Sequence, residues 1–170
     1  MLDCEWGNGP RFMAGQQEAL NTLRNTAGEE WTWLGAGKAS RTDYFLAKNN
    51  QLKTLFEIKT RDTITRNKEK IPFTWGILQS EYDGEYLISK DKIDDNIFIS
   101  RILNIPFLLV INFLHEDFLL SLRITDKSGE MIIPFREVEK VTQATSNGGQ
   151  KTDLVYMLQT DNDYCKKIKK

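Results

Sequence analysis

The chain has 170 residues, of which 40% are hydrophobic and 28% charged: the length of one domain and an ordinary globular composition, which argues against a disordered chain. Its 23 Lys and Arg balance 24 Asp and Glu to a net charge of −1, so any surface for nucleic acid has to be local. Cys4 and Cys165 stand at opposite ends, with no second Cys or His at ligand spacing, which argues against zinc and against a disulfide scaffold.

The first nine residues lack the apolar run of a signal peptide, and the longest apolar run, residues 105–111, is too short to span a bilayer. The expectation is a soluble, cytoplasmic protein with no membrane partner. Pro10, after Asn8 or Gly9, can open a first helix. Phe12, Gln16, Ala19, Leu20, Leu23 and Ala27 share one face of it, and Gly28 ends it. Trp31 and Trp33 alternate with Thr32 and Leu34 as in a strand, before Gly35, Gly37 and Ser40 loosen the chain. Residues 43–48 and 52–60 read as two strands around Asn49-Asn50-Gln51, since Asn tolerates the left-handed backbone of tight turns.

Residues 61–75, rich in Thr, Lys and Arg, read as a loop, and residues 82–87 are ambiguous. Ser89 is placed to cap a second helix, with Asp91 in its first turn, running to about Asn104 and stopped by Pro106. Ile93, Ile97, Phe98, Ile102 and Leu103 cover more than one face, which predicts a well-buried helix. Residues 107–111 have the unbroken apolar pattern of a strand buried on both faces. Strands are predicted over 118–124 and 131–135, around a turn at Asp126-Lys127-Ser128-Gly129, and over 154–158 after a loop at Asn147-Gly148-Gly149. Residues 161–170 read as a frayed basic tail. A helix between strands implies a crossover, so the fold class is α/β (α+β): a single domain with a mixed central sheet and extra C-terminal strands.

Chemistry concentrates in the second strand of the 43–60 hairpin. There Lys53, Leu55, Glu57 and Lys59 share one face, while Leu52, Thr54, Phe56 and Ile58 share the core-facing one. With a three-residue loop, Asn49 to Gln51, Lys48 pairs with Leu52, Ala47 with Lys53, Phe45 with Leu55 and Asp43 with Glu57. A two-residue loop puts Thr42 opposite Glu57 instead. In the first register two carboxylates repel, and a divalent cation relieves the repulsion. Mg²⁺, or Mn²⁺, takes oxygen ligands and often only one or two protein carboxylates. Asp43 and Glu57 suit that need, with the carbonyl of Ile58 a possible third ligand. Lys59 stands beside them, able to hold or deprotonate a water or to stabilise charge in a transition state.

The stretch 41–46, with Asp43, followed by Leu55-Phe56-Glu57-Ile58-Lys59-Thr60, resembles the PD-(D/E)xK nuclease superfamily. Its signature is an Asp, about a dozen residues, then Glu-x-Lys after an apolar strand. The likeness covers roughly residues 10–114 and is nearest to small Holliday-junction-resolvase-like and phage-type members, which implies a bacterial or phage-infected cytoplasm. It implies a restriction-endonuclease-like αβββαβ core and a Mg²⁺- or Mn²⁺-dependent DNA endonuclease leaving 5′-phosphate and 3′-hydroxyl ends. By that likeness Asp43 and Glu57 are metal ligands and Lys59 is the catalytic lysine. Two departures are visible. Thr42 stands where the signature has Pro, and the first helix offers Gln16, Gln17 and Glu18 where many members have an inward Glu. Gln17, at the edge of the apolar face, is expected to hold a metal-bound water; Glu18 is expected to be solvated.

Arg61, Arg66 and Lys68 follow the motif, and Lys92 opens the second helix beside Lys90. These supply a local basic excess for DNA phosphates. His115 is the only histidine, which excludes a His-pair mechanism. Gly35-Ala36-Gly37-Lys38 lacks the length and the Ser/Thr of a phosphate loop. Cutting both strands or a junction requires two sites, so a homodimer is a natural assembly. The alternative is a catalytically inactive nuclease-like fold that binds nucleic acid or a protein partner.

Overall fold

The computed structural model describes residues 10–37, 42–142 and 151–170. Cys4, Lys38, Ser40, Arg41 and the Asn147-Gly148-Gly149 loop lie outside the described residues. Helix α1 (Pro10–Ala27) starts at its proline, where a missing N–H costs nothing. It stops at Gly28, whose φ of +92° lets its N–H reach the Arg24 carbonyl at 3.1 Å. Strands β1 (Thr32–Gly35), β2 (Tyr44–Lys48) and β3 (Gln51–Arg61) follow as an antiparallel meander. The crossover then holds β4 (Thr63–Arg66), β5 (Glu69–Pro72), α2 (Trp75–Glu81), β6 (Glu85–Ser89) and α3 (Lys90–Leu103). Next come β7 (Phe107–Phe113), β8 (Phe118–Arg123), β9 (Phe135–Thr142), β10 (Lys151–Gln159) and β11 (Cys165–Lys169).

The main sheet has the order β1-β2-β3-β7-β8-β11. β3 and β7 run parallel, from Leu55 beside Phe107 to Arg61 beside Phe113, and the other neighbours are antiparallel. A mixed α/β fold with a mixed central sheet is therefore as expected. Both faces of the sheet are covered. On one, Ala19, Leu20 and Leu23 of α1 pack on Leu46, Phe56, Ile58, Val110 and Leu119. On the other, Leu55, Leu109, Ile111, Leu120 and Leu122 pack under Phe73, Leu78, Tyr86, Ile88 and Ile93. This is why β7 is apolar without alternation. Among the described residues no helix is long and apolar enough to cross a membrane.

Several expectations need correction. Residues 61–75 are not a loop. β4 and β5 form a hairpin around Asn67 and Lys68, both at positive φ, with Ile64 opposite Ile71. One apolar residue per strand is too sparse an alternation to read in the sequence. α2 was not anticipated; Thr74 caps it by accepting the Ile77 N–H at 3.3 Å. Residues 131–134 make one isolated bridge, Met131 to Thr125, and the strand begins at Phe135. The basic tail is not frayed, because β11 pairs along its length with β8. α3 is not buried all round: its inward stripe is Ile93, Asn96 and Ser100, while Phe98 and Ile102 are each 61% exposed.

Candidate active site

The hairpin combines both registers weighed from the sequence. Its loop has two residues, Asn49 and Asn50, at φ of 53° and 57°, so Lys48 faces Gln51 and Ala47 faces Leu52. The expected Lys48–Leu52 and Ala47–Lys53 pairs are thus corrected. A bulge between Leu46 and Ala47 then makes Lys53 an extra residue, and the ladder resumes as Leu46–Thr54, Phe45–Leu55 and Tyr44–Phe56. The bulge restores the register that the short loop shifts.

Pairing with β2 ends at Tyr44, so residues 57–61 of β3 project past it and leave a notch on that flank. Asp43 closes the near end. Its N–H donates to the Phe56 carbonyl at 3.1 Å, and its Oδ2 accepts the Ile58 N–H at 2.7 Å. The carboxylate therefore caps the first free N–H of the projecting strand. Glu57 and Lys59 point to the face opposite α1, 4% and 9% exposed, with Lys59 Nζ 2.6 Å from Glu57 Oε1. Glu57 Oε2 is buried and accepts no hydrogen bond among the described residues.

Burial raises the pKa of Asp43 above the usual carboxylate value, against the Ile58 N–H and the charges of Lys59 and Lys92, which lower it. Burial raises that of Glu57 too; Lys59 opposes it, the Asp43 charge adds to it, and Lys92 opposes it. Two carboxylates from adjacent strands thus sit desolvated and within electrostatic reach of each other, where ionisation is costly without more positive charge.

That donor set fits a hard cation of the Mg²⁺ type: two carboxylates, an unused buried lone pair on Glu57 and a strand carbonyl at Ile58. Among the described residues no three His, Cys, Asp or Glu side chains come together to hold a metal. The glutamine nearest these groups is Gln16, whose Nε2 reaches the Ile58 carbonyl at 3.4 Å. Gln17 is exposed and donates to Asn21 Oδ1 on its own helix at 2.9 Å, so it is not at the site. The signal was present, since Gln16 shares the face of Ala19, Leu20 and Leu23. Glu18 is not simply solvated; it accepts from Asn112 Nδ2 at 2.9 Å and pairs with Lys170 at 3.3 Å.

The expected phosphate-binding residues are dispersed. Lys92, in the first turn of α3, is close enough to act on both carboxylates. Arg61, at the end of β3, lies over the Tyr86 ring at 5.2 Å and donates to the Thr60 carbonyl. Arg66 and Lys68 stand on the β4–β5 hairpin, Arg66 paired with Glu81 at 2.9 Å and Lys68 exposed at the turn. Lys90 faces a three-stranded sheet of order β6-β10-β9, where Asp94, Glu137 and Tyr156 surround it. His115 bonds Asp62, which Arg11 also pairs with. Thr42, 1% exposed, and Asn96, 0% exposed, form a buried contact beside Asp43 that sequence patterning did not reveal.

Compared with known proteins, the chain matches no family model, no curated protein and no solved structure.

Proposed function

We propose that the chain is a divalent-metal-dependent DNA endonuclease of the PD-(D/E)xK type, with Asp43 and Glu57 as metal ligands and Lys59 as the catalytic lysine. The observation that carries this reading is the pair of desolvated carboxylates from adjacent strands, with an ammonium 2.6 Å from one of them. A buried cluster of two acids whose ionisation is disfavoured is an expensive thing for a fold to keep without a use. The order α1, β1 to β3, α3, β7, with β3 parallel to β7, supports a restriction-endonuclease-like core.

Asp43 Oδ1, Glu57 Oε2 and the Ile58 carbonyl would hold the cation. When bound, Mg²⁺ or Mn²⁺ supplies charge to neutralise the phosphodiester oxygens and lowers the pKa of a nucleophilic water. Lys59, held by Glu57, presents its ammonium where negative charge grows on the scissile phosphate, and can orient the attacking water. Lys92 adds a second cation on the α3 side of the same notch. Gln16 donates to the Ile58 carbonyl from the α1 side.

The test is cleavage of supercoiled, linear, branched and single-stranded DNA, with RNA alongside, in Mg²⁺, Mn²⁺ or EDTA, beside Glu57→Ala. Metal-dependent cutting lost in the variant is expected, leaving 5′-phosphate ends. No cutting of any substrate, with no Mg²⁺ bound by calorimetry, would overturn the reading. It would favour a catalytically inactive fold that binds nucleic acid or protein, for which Gln16 in place of an inward acid already speaks.

A further inference from the structure

Asn96 occupies a place where an apolar residue would be the simpler choice. It is 0% exposed, in the middle of α3, on the inward stripe with Ile93. Asn is an indifferent helix former because its amide competes for backbone bonds. Its amide is fully engaged here, and both ends lead to the site. Nδ2 donates to the Lys92 carbonyl at 2.8 Å, one turn back, and Oδ1 accepts the Thr42 hydroxyl at 2.5 Å. Thr42 is the residue before Asp43, and Lys92 is the cation acting on both Asp43 and Glu57.

The segment 42–43 lies off the end of β2, so the strand ladder does not fix it. Hydrogen bonds do. The Asp43 N–H reaches Phe56 on β3, the Asp43 carbonyl accepts the Ala36 N–H at 3.0 Å, the Asp43 carboxylate accepts the Ile58 N–H, and the Thr42 hydroxyl reaches α3 through Asn96. The last of these ties the segment to the helix that carries Lys92. A single amide thereby sets the Asp43 carboxylate and the first turn of α3 against the same reference.

We propose that Asn96, through Thr42, is a positioning residue that holds Asp43 in its cation-binding orientation and so sets the site's affinity for a divalent metal. This rests on the metal-binding reading above. It makes a second demand that does not need metal: the Asp43 Oδ2 to Ile58 N–H bond should depend on the Thr42 hydroxyl.

The experiment compares Thr42→Val, which keeps shape and removes the hydroxyl, with Thr42→Ser, which keeps the hydroxyl. Two quantities are read: hydrogen exchange of the Ile58 amide in the metal-free protein, and Mg²⁺ binding by calorimetry. Thr42→Val is expected to speed Ile58 exchange about tenfold while Val110, on the neighbouring strand, keeps its rate, and to weaken Mg²⁺ binding by roughly 10- to 100-fold, the usual effect of losing a group that orients a ligand. Thr42→Ser should stay within about twofold of wild type in both. If valine is not accommodated, Thr42→Ala removes the same hydroxyl without added bulk and is read the same way. Ile58 exchange unchanged by loss of the hydroxyl would overturn the proposal, as would a Thr42→Ser that behaves like Thr42→Val. Faster exchange at Ile58 in a protein that binds no Mg²⁺ even as wild type would uphold the positioning of Asp43 and overturn both the affinity claim and the metal reading.

Discussion

Gly15→Ala is a sharp test of how α1 is seated. Gly15 is buried in the helix, and a Cβ there would lie 2.5 Å from Thr60 Cγ2, 2.9 Å from Leu114 Cδ2 and 3.1 Å from Thr60 Oγ1. Leu114 can swing its terminal methyl away. Thr60 cannot, because it is 3% exposed on the central strand and presents either its methyl or its hydroxyl to the helix whichever way it turns. The gain in helix propensity is about 1 kcal/mol and the overpacking cost about 1–3 kcal/mol, so the net should be a loss of up to about 2 kcal/mol. For a chain of this size that lowers the melting temperature by up to about 8 °C. The bond from Asn112 Nδ2 to the Gly15 carbonyl, 2.7 Å, and the reach of Gln16 to Ile58 should loosen with it. The assay is calorimetric melting of Gly15→Ala, Thr60→Ser and the double variant. Thr60→Ser removes the methyl, so the double variant should recover most of the loss, a coupling of at least about 1 kcal/mol. A Gly15→Ala protein that melts higher than wild type, or no recovery in the double variant, would refute the close approach.

Lys59→Met should fold and bind Mg²⁺ but cut DNA at least about 10²-fold more slowly in single-turnover assays; equal rates would remove Lys59 from the chemistry. Asp43→Asn keeps an oxygen for the Ile58 N–H and removes one of two disfavoured charges. Because the folded carboxyl holds its proton more tightly than the unfolded one, wild-type stability falls as pH rises from the ordinary carboxylate range up through the raised folded pKa. Asp43→Asn should therefore be more stable than wild type at pH 7, by roughly 0.5–2 kcal/mol, with the advantage shrinking near pH 4, while Mg²⁺ binding is lost. Urea melts at both pH values check this, and an advantage that grows toward pH 4 would reverse the assigned sign. Deleting residues 165–170 strips β11 from β8 and should lower the melting temperature by at least about 5 °C and promote aggregation, whereas a frayed tail could be lost unnoticed.

The parts of this molecule that could be read from the sequence are those where a single physical rule decides. β7 is apolar on both faces because helices cover both, and Gly28 ends α1 because the backbone turns left-handed there. β11 is hidden in the sequence for the opposite reason. Lys166, Lys167 and Lys169 look like a solvated tail, yet charge on an edge strand keeps the sheet from pairing with other chains. The same composition serves a frayed end and a guarded edge, and only pairing with β8 separates them. The hairpin is the most instructive case. A two-residue loop should have carried Glu57 out of step with Asp43, and the bulge at Lys53 undoes the shift. Loop length and bulge are separately invisible in the sequence, and each moves the register by one. What survives is their sum, because the face that buries Leu55 in the large core also has to present Glu57 and Lys59, and the face that buries Phe56 and Ile58 has to meet α1. Core burial on two faces fixes the phase of β3, and the acids inherit it. Thr42 and Asn96 lay beyond that logic, since their roles depend on which helix end approaches the notch, and no periodicity within one element records the approach of another.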